Sequence, residues 1–246
     1  MNAYKIFFCL LISATSTFAN ALDWYRIEIL VFANEDPTVI GAEYWDEIEG
    51  IPEKEARFLE PSNGNIRAYK SLPGNYLNLH HMRKLLANSD QYRVITHQTW
   101  MQPVGRTDTP TPIRLKAGDV LDNGMYELEG YIGIGRGTYI HFRPDLYFSK
   151  VLTKEEEALL KQPINNQQND TVTTTVETGL TTDALTTAAL PQTIDTTAST
   201  AQPTFNLELP KVLTVNLAQA RRMKSKEIHY IDHPLFGVIV RATPVR

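Results

Sequence analysis

The sequence predicts an α+β fold: a single domain with a mainly antiparallel sheet built from both ends of the mature chain, and a helix packed on one face. Three observations carry this. Trp24 to Phe32 near the start and His229 to Val240 near the end are both β-patterned. Two further strand patterns fold about a Gly135-Arg136-Gly137 turn, a hairpin signal. Between them Asn75 to Ala87 carries an apolar stripe, with Leu79, Met82, Leu85 and Leu86 at 3-4-7 spacing.

Residues 1–21 read as an export signal. Lys5 supplies the positive start, Ile6 to Ile12 the apolar core and Ala19-Asn20-Ala21 the cleavage site, with cleavage expected after Ala21. The apolar core is shorter than the roughly 20 residues a membrane-spanning helix needs, and no later run is long and charge-free, so no membrane span is expected. The only cysteine, Cys9, lies inside this signal and follows Ile6-Phe7-Phe8, without the small residue of a lipoprotein cleavage site. A cysteine-free mature chain has no disulfides, thiol nucleophile or Cys-ligated zinc. The full chain has 24 cations and 28 acids; losing Lys5 leaves 23 against 28, a net −5. A mildly acidic protein lacks the global field of a nucleic-acid binder, so no nucleic-acid partner is expected.

The elements follow in order. Along Trp24 to Phe32, Tyr25, Ile27, Ile29 and Val31 share one face; the other begins amphipathic and becomes apolar. Asn34-Glu35-Asp36-Pro37 is a turn. From Val39 to Ser71 the chain is acidic and weakly patterned, so mostly loop is expected, anchored by Tyr44 and Trp45, with one short helix at Pro52 to Phe58. Asn75 is the expected cap of the main helix, and Asn88-Ser89-Asp90 its end. Tyr92 to Met101 reads as a strand stopped by Pro103, and Gly105 to Lys116 as an exposed loop. YELEGYIGI and TYIHFRPDLYF form the central hairpin, and Thr153 with Glu156 is a capping box opening a short helix. Residues 22–161 thus form the first part of the domain.

From residue 162 to 204 the composition changes. No aromatic occurs between Phe148 and Phe205, no Lys or Arg between Lys161 and Lys211, and threonine dominates. Such a segment buries too little apolar surface to offset its ordering entropy and is read as a disordered insertion. Residues 205–246 are too few to fold alone and are expected to return to the same sheet, FNLELPKVLTVNL giving a strand pair or one long strand.

Catalytic signatures are weak. His229, Asp232 and His233 suggest a cluster, yet on a continuous strand the two histidines lie about 13 Å apart at roughly 3.3 Å per residue. Hairpin-corner hydrogen bonding is the better account. No G-x-S-x-G, S-x-x-K or H-E-x-x-H occurs. The glycines of GYIGIGRG lie in a hairpin with no following helix, which argues against a nucleotide loop. Asp46-Glu47 and Glu155-Glu156-Glu157 sit in loop or capped-helix context. No catalytic residue, metal or cofactor is therefore assigned.

The stretch least explained by folding is Arg221, Arg222, Lys224 and Lys226, four cations in six residues. Together with His229 to Val240 it is expected to form a basic-rimmed hairpin. A solvated loop is one account of the cations; attraction to a carboxylate-bearing polymer through guanidinium forks is the other. Trp100, Tyr139 and Tyr230 are candidate sugar-stacking faces.

WYRIEILVF, YRVITHQTWMQPV, LEGYIGIGRGTYIHFRPDLYF and RRMKSKEIHYIDHPLFGVIV, in this order behind an export signal, resemble the CsiV family. These are small periplasmic peptidoglycan-binding proteins of Gram-negative bacteria associated with cell-shape integrity. The resemblance covers the mature chain apart from the threonine-rich insertion and the acidic region. It implies a periplasmic location and noncatalytic binding to peptidoglycan. It also implies partnership with a penicillin-binding protein and its outer-membrane lipoprotein activator. It carries over no ligand residues. An adaptor that does not itself touch the wall, and a cell-wall hydrolase using His229 or Asp232, are the alternatives.

Overall fold

The computed structural model describes residues 22–48, 50–62, 66–105, 110–161 and 212–245. The expected export signal, the threonine-rich insertion and residues 205–211 lie outside them. In chain order the strands are β1 Asp23–Asn34, β2 Arg57–Phe58, β3 Tyr92–Val104, β4 Ile113–Val120, β5 Tyr126–Arg136, β6 Ile140–Val151, β7 Val212–Ala218, β8 Arg221–Met223, β9 Ile228–His233 and β10 Phe236–Val245. Two helices accompany them, α1 His80–Ala87 and α2 Lys154–Leu160. The fold is mostly strand with little helix, at the β-rich end of α+β.

The two ends of the described chain meet as expected. β1 and β10 pair antiparallel from Trp24 opposite Val245 to Ala33 opposite Phe236. β3 flanks β1 and β9 flanks β10, giving a four-stranded sheet ordered β3-β1-β10-β9. The second sheet runs β2-β4-β5-β6-β7, with β8 also pairing β6. The sheets face each other across one apolar cluster. Ile27, Ile29, Val31, Trp100, Val238 and Val240 come from the first, and Ile113, Leu128, Ile132, Phe142, Phe148 and Val215 from the second. The Phe148 and Phe236 rings, 5.5 Å apart, bridge the layers. Burying such side chains is the main stabilising contribution, about 1.5–3 kcal/mol each.

β1 shows how period-2 patterning builds both layers. Its odd-numbered residues from Tyr25 to Ala33 enter the inter-sheet core; Leu30 and Phe32 join Leu79 and Ile239 on the opposite face, where Met82 and Leu86 of α1 pack. The helix therefore covers one face of the four-stranded sheet. On its solvent side Leu85 is exposed. The Thr153–Glu156 capping box at α2 is present with both reciprocal hydrogen bonds.

Several local expectations are corrected. α1 starts at His80, not after Asn75, because the preceding turn is 3-10 (Gly74–Tyr76) and the amides just before the helix, of Asn78 and Leu79, are held by Glu28 of β1. Pro52 to Phe58 forms no helix: Arg57 donates its amide to Pro112 O at 2.8 Å and β2 runs parallel beside β4. The exposed loop expected up to Lys116 gives way to β4, whose Ile113 and Leu115 are core. Pro103 does not stop β3. It shares the outward phase of Thr99 and Met101, whose carbonyls accept from Leu72 and Tyr69, so its missing N–H is not needed by the β1 ladder. The basic run is not a rim of the closing hairpin either. Arg221 to Met223 belong to the other sheet, and only β9 and β10 form the hairpin.

Candidate functional site: a basic cleft at the sandwich end

Met223 explains why the basic run is displayed. Its side chain is buried, and in the β8–β6 register Met223, Arg222 and Arg221 lie opposite Ile140, His141 and Phe142. One apolar residue thus anchors the segment while both arginines stay exposed. The chain then crosses from the six-stranded to the four-stranded sheet through Lys224, Ser225 and Lys226. Lys226 turns it with φ +72°, donates its amide to Ala242 O at 2.7 Å and accepts from Arg241 Nε at 3.1 Å. A left-handed non-glycine residue held by two such bonds fixes the crossing.

Opposite this crossing stands the turn between β5 and β6. Together they enclose a cleft of about 200 Å³. Ile140 and Met223 line its apolar part; Tyr25, Thr138, Tyr139, Lys224 and Ser225 supply hydroxyls and a cation, and Arg136 completes the lining. The Arg136 guanidinium is ion-paired with Asp23 and lies 5.9 Å from the Tyr25 ring centroid. The Tyr25 hydroxyl is 3.4 Å from Ser225 Oγ.

The charges around the cleft are unevenly matched. Arg222 lies 4.9 Å over the Tyr139 ring, a cation–π contact. Lys224 is 3.7 Å from Glu227 across an exposed pair. Among the described residues no carboxylate lies in ion-pair range of Arg221, Arg222 or Lys226. Some cations elsewhere are closely paired: Arg93 bridges Glu35 and Glu127, and Lys150 joins Glu35 and Glu156. An exposed cluster left with residual positive charge is suited to carboxylates or other anions, best through bidentate guanidinium contacts.

Of the seven residues singled out from sequence, Lys224 and Tyr139 line this cleft, Arg222 lies on the Tyr139 ring, and Arg221 and Lys226 flank them in the chain. Tyr230 does not join them. It lies on the outer face of the four-stranded sheet, stacked on Phe32 at 6.1 Å, and its hydroxyl donates to Asp232. That environment, desolvation first and the Asp232 carboxylate second, pushes the phenol above its ordinary range. Trp100 is corrected outright as a stacking face: it is fully buried, and its indole N–H donates to Gln102 Oε1 at 2.8 Å. Sequence reasoning missed Tyr25, Thr138 and Ser225. Only Arg136, an arginine between two glycines of a hairpin turn, carried a local signal.

The histidines of the closing hairpin have structural surroundings. His233 Nδ1 accepts the Leu235 amide at 3.2 Å, and its ring packs against Trp45 and Phe236. His229 sits opposite Val240, with Nε2 3.9 Å from Glu227. No helix among the described residues is long and apolar enough to cross a membrane.

No curated protein and no solved structure matches the chain. A protein family described as "Peptidoglycan-binding protein, CsiV" matches residues 4–245. With a match over nearly its whole length, a span that contains the four sequence blocks of the resemblance, the chain belongs to the CsiV family.

Proposed function

We propose that this is a noncatalytic periplasmic accessory protein that binds peptidoglycan and supports wall synthesis and cell-shape integrity. In this reading it acts with a penicillin-binding protein and its outer-membrane lipoprotein activator. The observation that carries the binding site is the basic crossing, where Arg221, Arg222 and Lys226 are exposed with no acidic partner among the described residues and Arg222 lies on Tyr139. Stem-peptide carboxylates meet these cations, and glycan lies along Tyr139. Each exposed ion pair contributes little, about 0–1 kcal/mol. A polymer presenting many carboxylates adds such contacts by multivalency.

Co-sedimentation with purified sacculi tests this reading. The protein should pellet at low salt and be released as ionic strength rises, because exposed charges are screened over about 10 Å at 0.1 M. Failure to pellet at low salt sinks wall binding. Pelleting that survives neutralisation of Arg221, Arg222, Lys224 and Lys226 together moves the site elsewhere.

One observation favours a protein partner at a second surface. Edge strand β9 leaves Ile228 and Tyr230 about half exposed, at 50% and 49%, beside an unpaired backbone edge. Crosslinking from β9 in cells should give protein adducts if this edge docks a partner. An adaptor without direct wall binding would give those adducts and no pelleting with isolated sacculi.

A further inference from the structure

The four cations account for attraction to a carboxylate-bearing polymer, but not for which carboxylate is read. The cleft beside them is more selective than the run itself. Its volume, about 200 Å³, is below the roughly 300–1,000 Å³ of pockets that enclose drug-sized ligands. That suits the end of a peptide chain and is small for a disaccharide.

The lining is chemically divided. Lys224 brings a cation with three donors, and the hydroxyls of Tyr25 and Ser225, which contact each other at 3.4 Å, can both turn to donate to one anion oxygen seated beside the pair. Of the acids near this wall, Asp23 is ion-paired with Arg136, and Glu227 lies 3.7 Å from Lys224 Nζ in an exposed pair that a bound carboxylate would replace. Ile140 and Met223 form the apolar part of the same lining, and Tyr139, with Arg222 over its ring, lines it as well.

We propose that this cleft seats a peptide terminus. Lys224, Ser225 and Tyr25 hold the α-carboxylate of the last residue, while its small side chain rests on Ile140 and Met223. The inference rests on the wall-binding reading and sharpens it: free stem-peptide ends, whose carboxylate is intact, are recognised in preference to cross-linked ones. Arg221, Arg222 and Lys226 then act as the outer field that brings the polymer in.

Titration of the purified protein with Nα-acetyl-Lys-D-Ala-D-Ala and with its C-terminal carboxamide, followed by calorimetry, tests the proposal. The free acid should bind saturably and the carboxamide at least about ten-fold more weakly, since the amide removes the charge that the donors face. Lys224→Gln and Ser225→Ala should each weaken the acid by a similar factor with an unchanged unfolding midpoint. Tyr25→Phe, which keeps the ring and loses only the hydroxyl, gives a second reading should either variant fold poorly. Equal affinity for acid and carboxamide, absence of saturable acid binding, or acid binding indifferent to all three substitutions overturns the cleft assignment. If sacculi still pellet the protein in those cases, wall binding stands and only the terminus seat falls. If the acid peptide binds while sacculi do not pellet the protein, the seat stands and the wall reading fails.

Discussion

His97 Nε2 on β3 lies 2.9 Å from the Glu28 carboxylate on β1, with both side chains almost sealed from solvent at 4% and 2% exposure. The same carboxylate accepts the amides of Asn78 at 2.6 Å and Leu79 at 2.7 Å, just before α1. A residue inside a strand therefore caps a helix some fifty positions later. Because the carboxylate accepts, Nε2 carries the donated proton, and His97 Nδ1 is buried with no partner among the described residues.

Glu28→Ala should destabilise the protein by about 3 kcal/mol, because it strands two buried amides and an imidazole. Urea unfolding at pH 7 measures this. Burial, the largest influence on Glu28, pushes its pKa up, but the bonds from His97, Leu79 and Asn78 together hold it below the ordinary carboxylate value. A folded-state pKa below the unfolded one gives stability that is present above about pH 4.3 and is lost as pH falls through the folded value. Glu28→Gln should flatten that acid limb of the stability curve. An acid limb as steep as that of the unaltered protein would show that the capping carboxylate does not govern it.

The same residue shows where sequence reading reaches its limit. The two faces of β1 are legible, since alternation in WYRIEILVF depends only on neighbours. So are the β5–β6 hairpin and the α2 capping box, each encoded within a few residues. The start of α1 is not, because its cap comes from Glu28 and not from Asn75. β4 is written in the alternation of Ile113, Leu115 and Ala117 against Arg114 and Lys116, but Pro110 and Pro112 at its start are loop signals that mask it. At the cleft, the cations were visible as composition. Tyr25 and Ser225, 200 positions apart, are joined only by the pairing of β1 with β10 and the crossing at Lys226.

His233 provides a test near neutral pH. Burial, opposed by the Asp232 charge, lowers its pKa below the usual 6.5. The neutral ring accepts the Leu235 amide and packs between Trp45 and Phe236. A depressed histidine pKa means that the unfolded chain binds the proton first, so stability is full above pH 6.5 and declines as pH falls from there toward the folded value. Denaturant midpoints at pH 7.5 and 5.5 should therefore differ more in the unaltered protein than in His233→Gln. Equal shifts in both would remove His233 as the cause.

Two glycines of GYIGIGRG should respond differently to alanine. Gly130 has φ +149°, and an added Cβ would meet Asp145 O at 2.3 Å and Leu146 Cα at 2.9 Å, both backbone atoms of β6. Gly130→Ala should lower stability by about 2–4 kcal/mol through strain and displacement of the β5–β6 ladder. At Gly133 the nearest atom is Pro110 Cγ at 3.4 Å, ordinary contact, so Gly133→Ala should shift stability by less than about 1 kcal/mol. Thermal unfolding of the pair checks the contrast. Comparable losses would mean that the close strand approach at Gly130 is not what requires glycine there.

Trp100 and Tyr139 separate architecture from binding. Trp100 fills the inter-sheet core and satisfies its N–H on Gln102, so Trp100→Ala should cost about 3–5 kcal/mol. The fraction that remains folded should still pellet with sacculi. Tyr139 is 38% exposed beneath Arg222, and its removal opens no core cavity. Tyr139→Ala should change stability by no more than about 1 kcal/mol, the loss of that exposed ring contact. It deprives Arg222 of a cation–π partner worth about 0.5–1 kcal/mol at an exposed site, so sacculus affinity should fall about two- to five-fold. Measuring both variants by unfolding and by co-sedimentation gives a crossed pattern if the basic cleft binds the wall. Loss of pelleting by folded Trp100→Ala, with Tyr139→Ala unaffected, would place the binding surface away from this cleft.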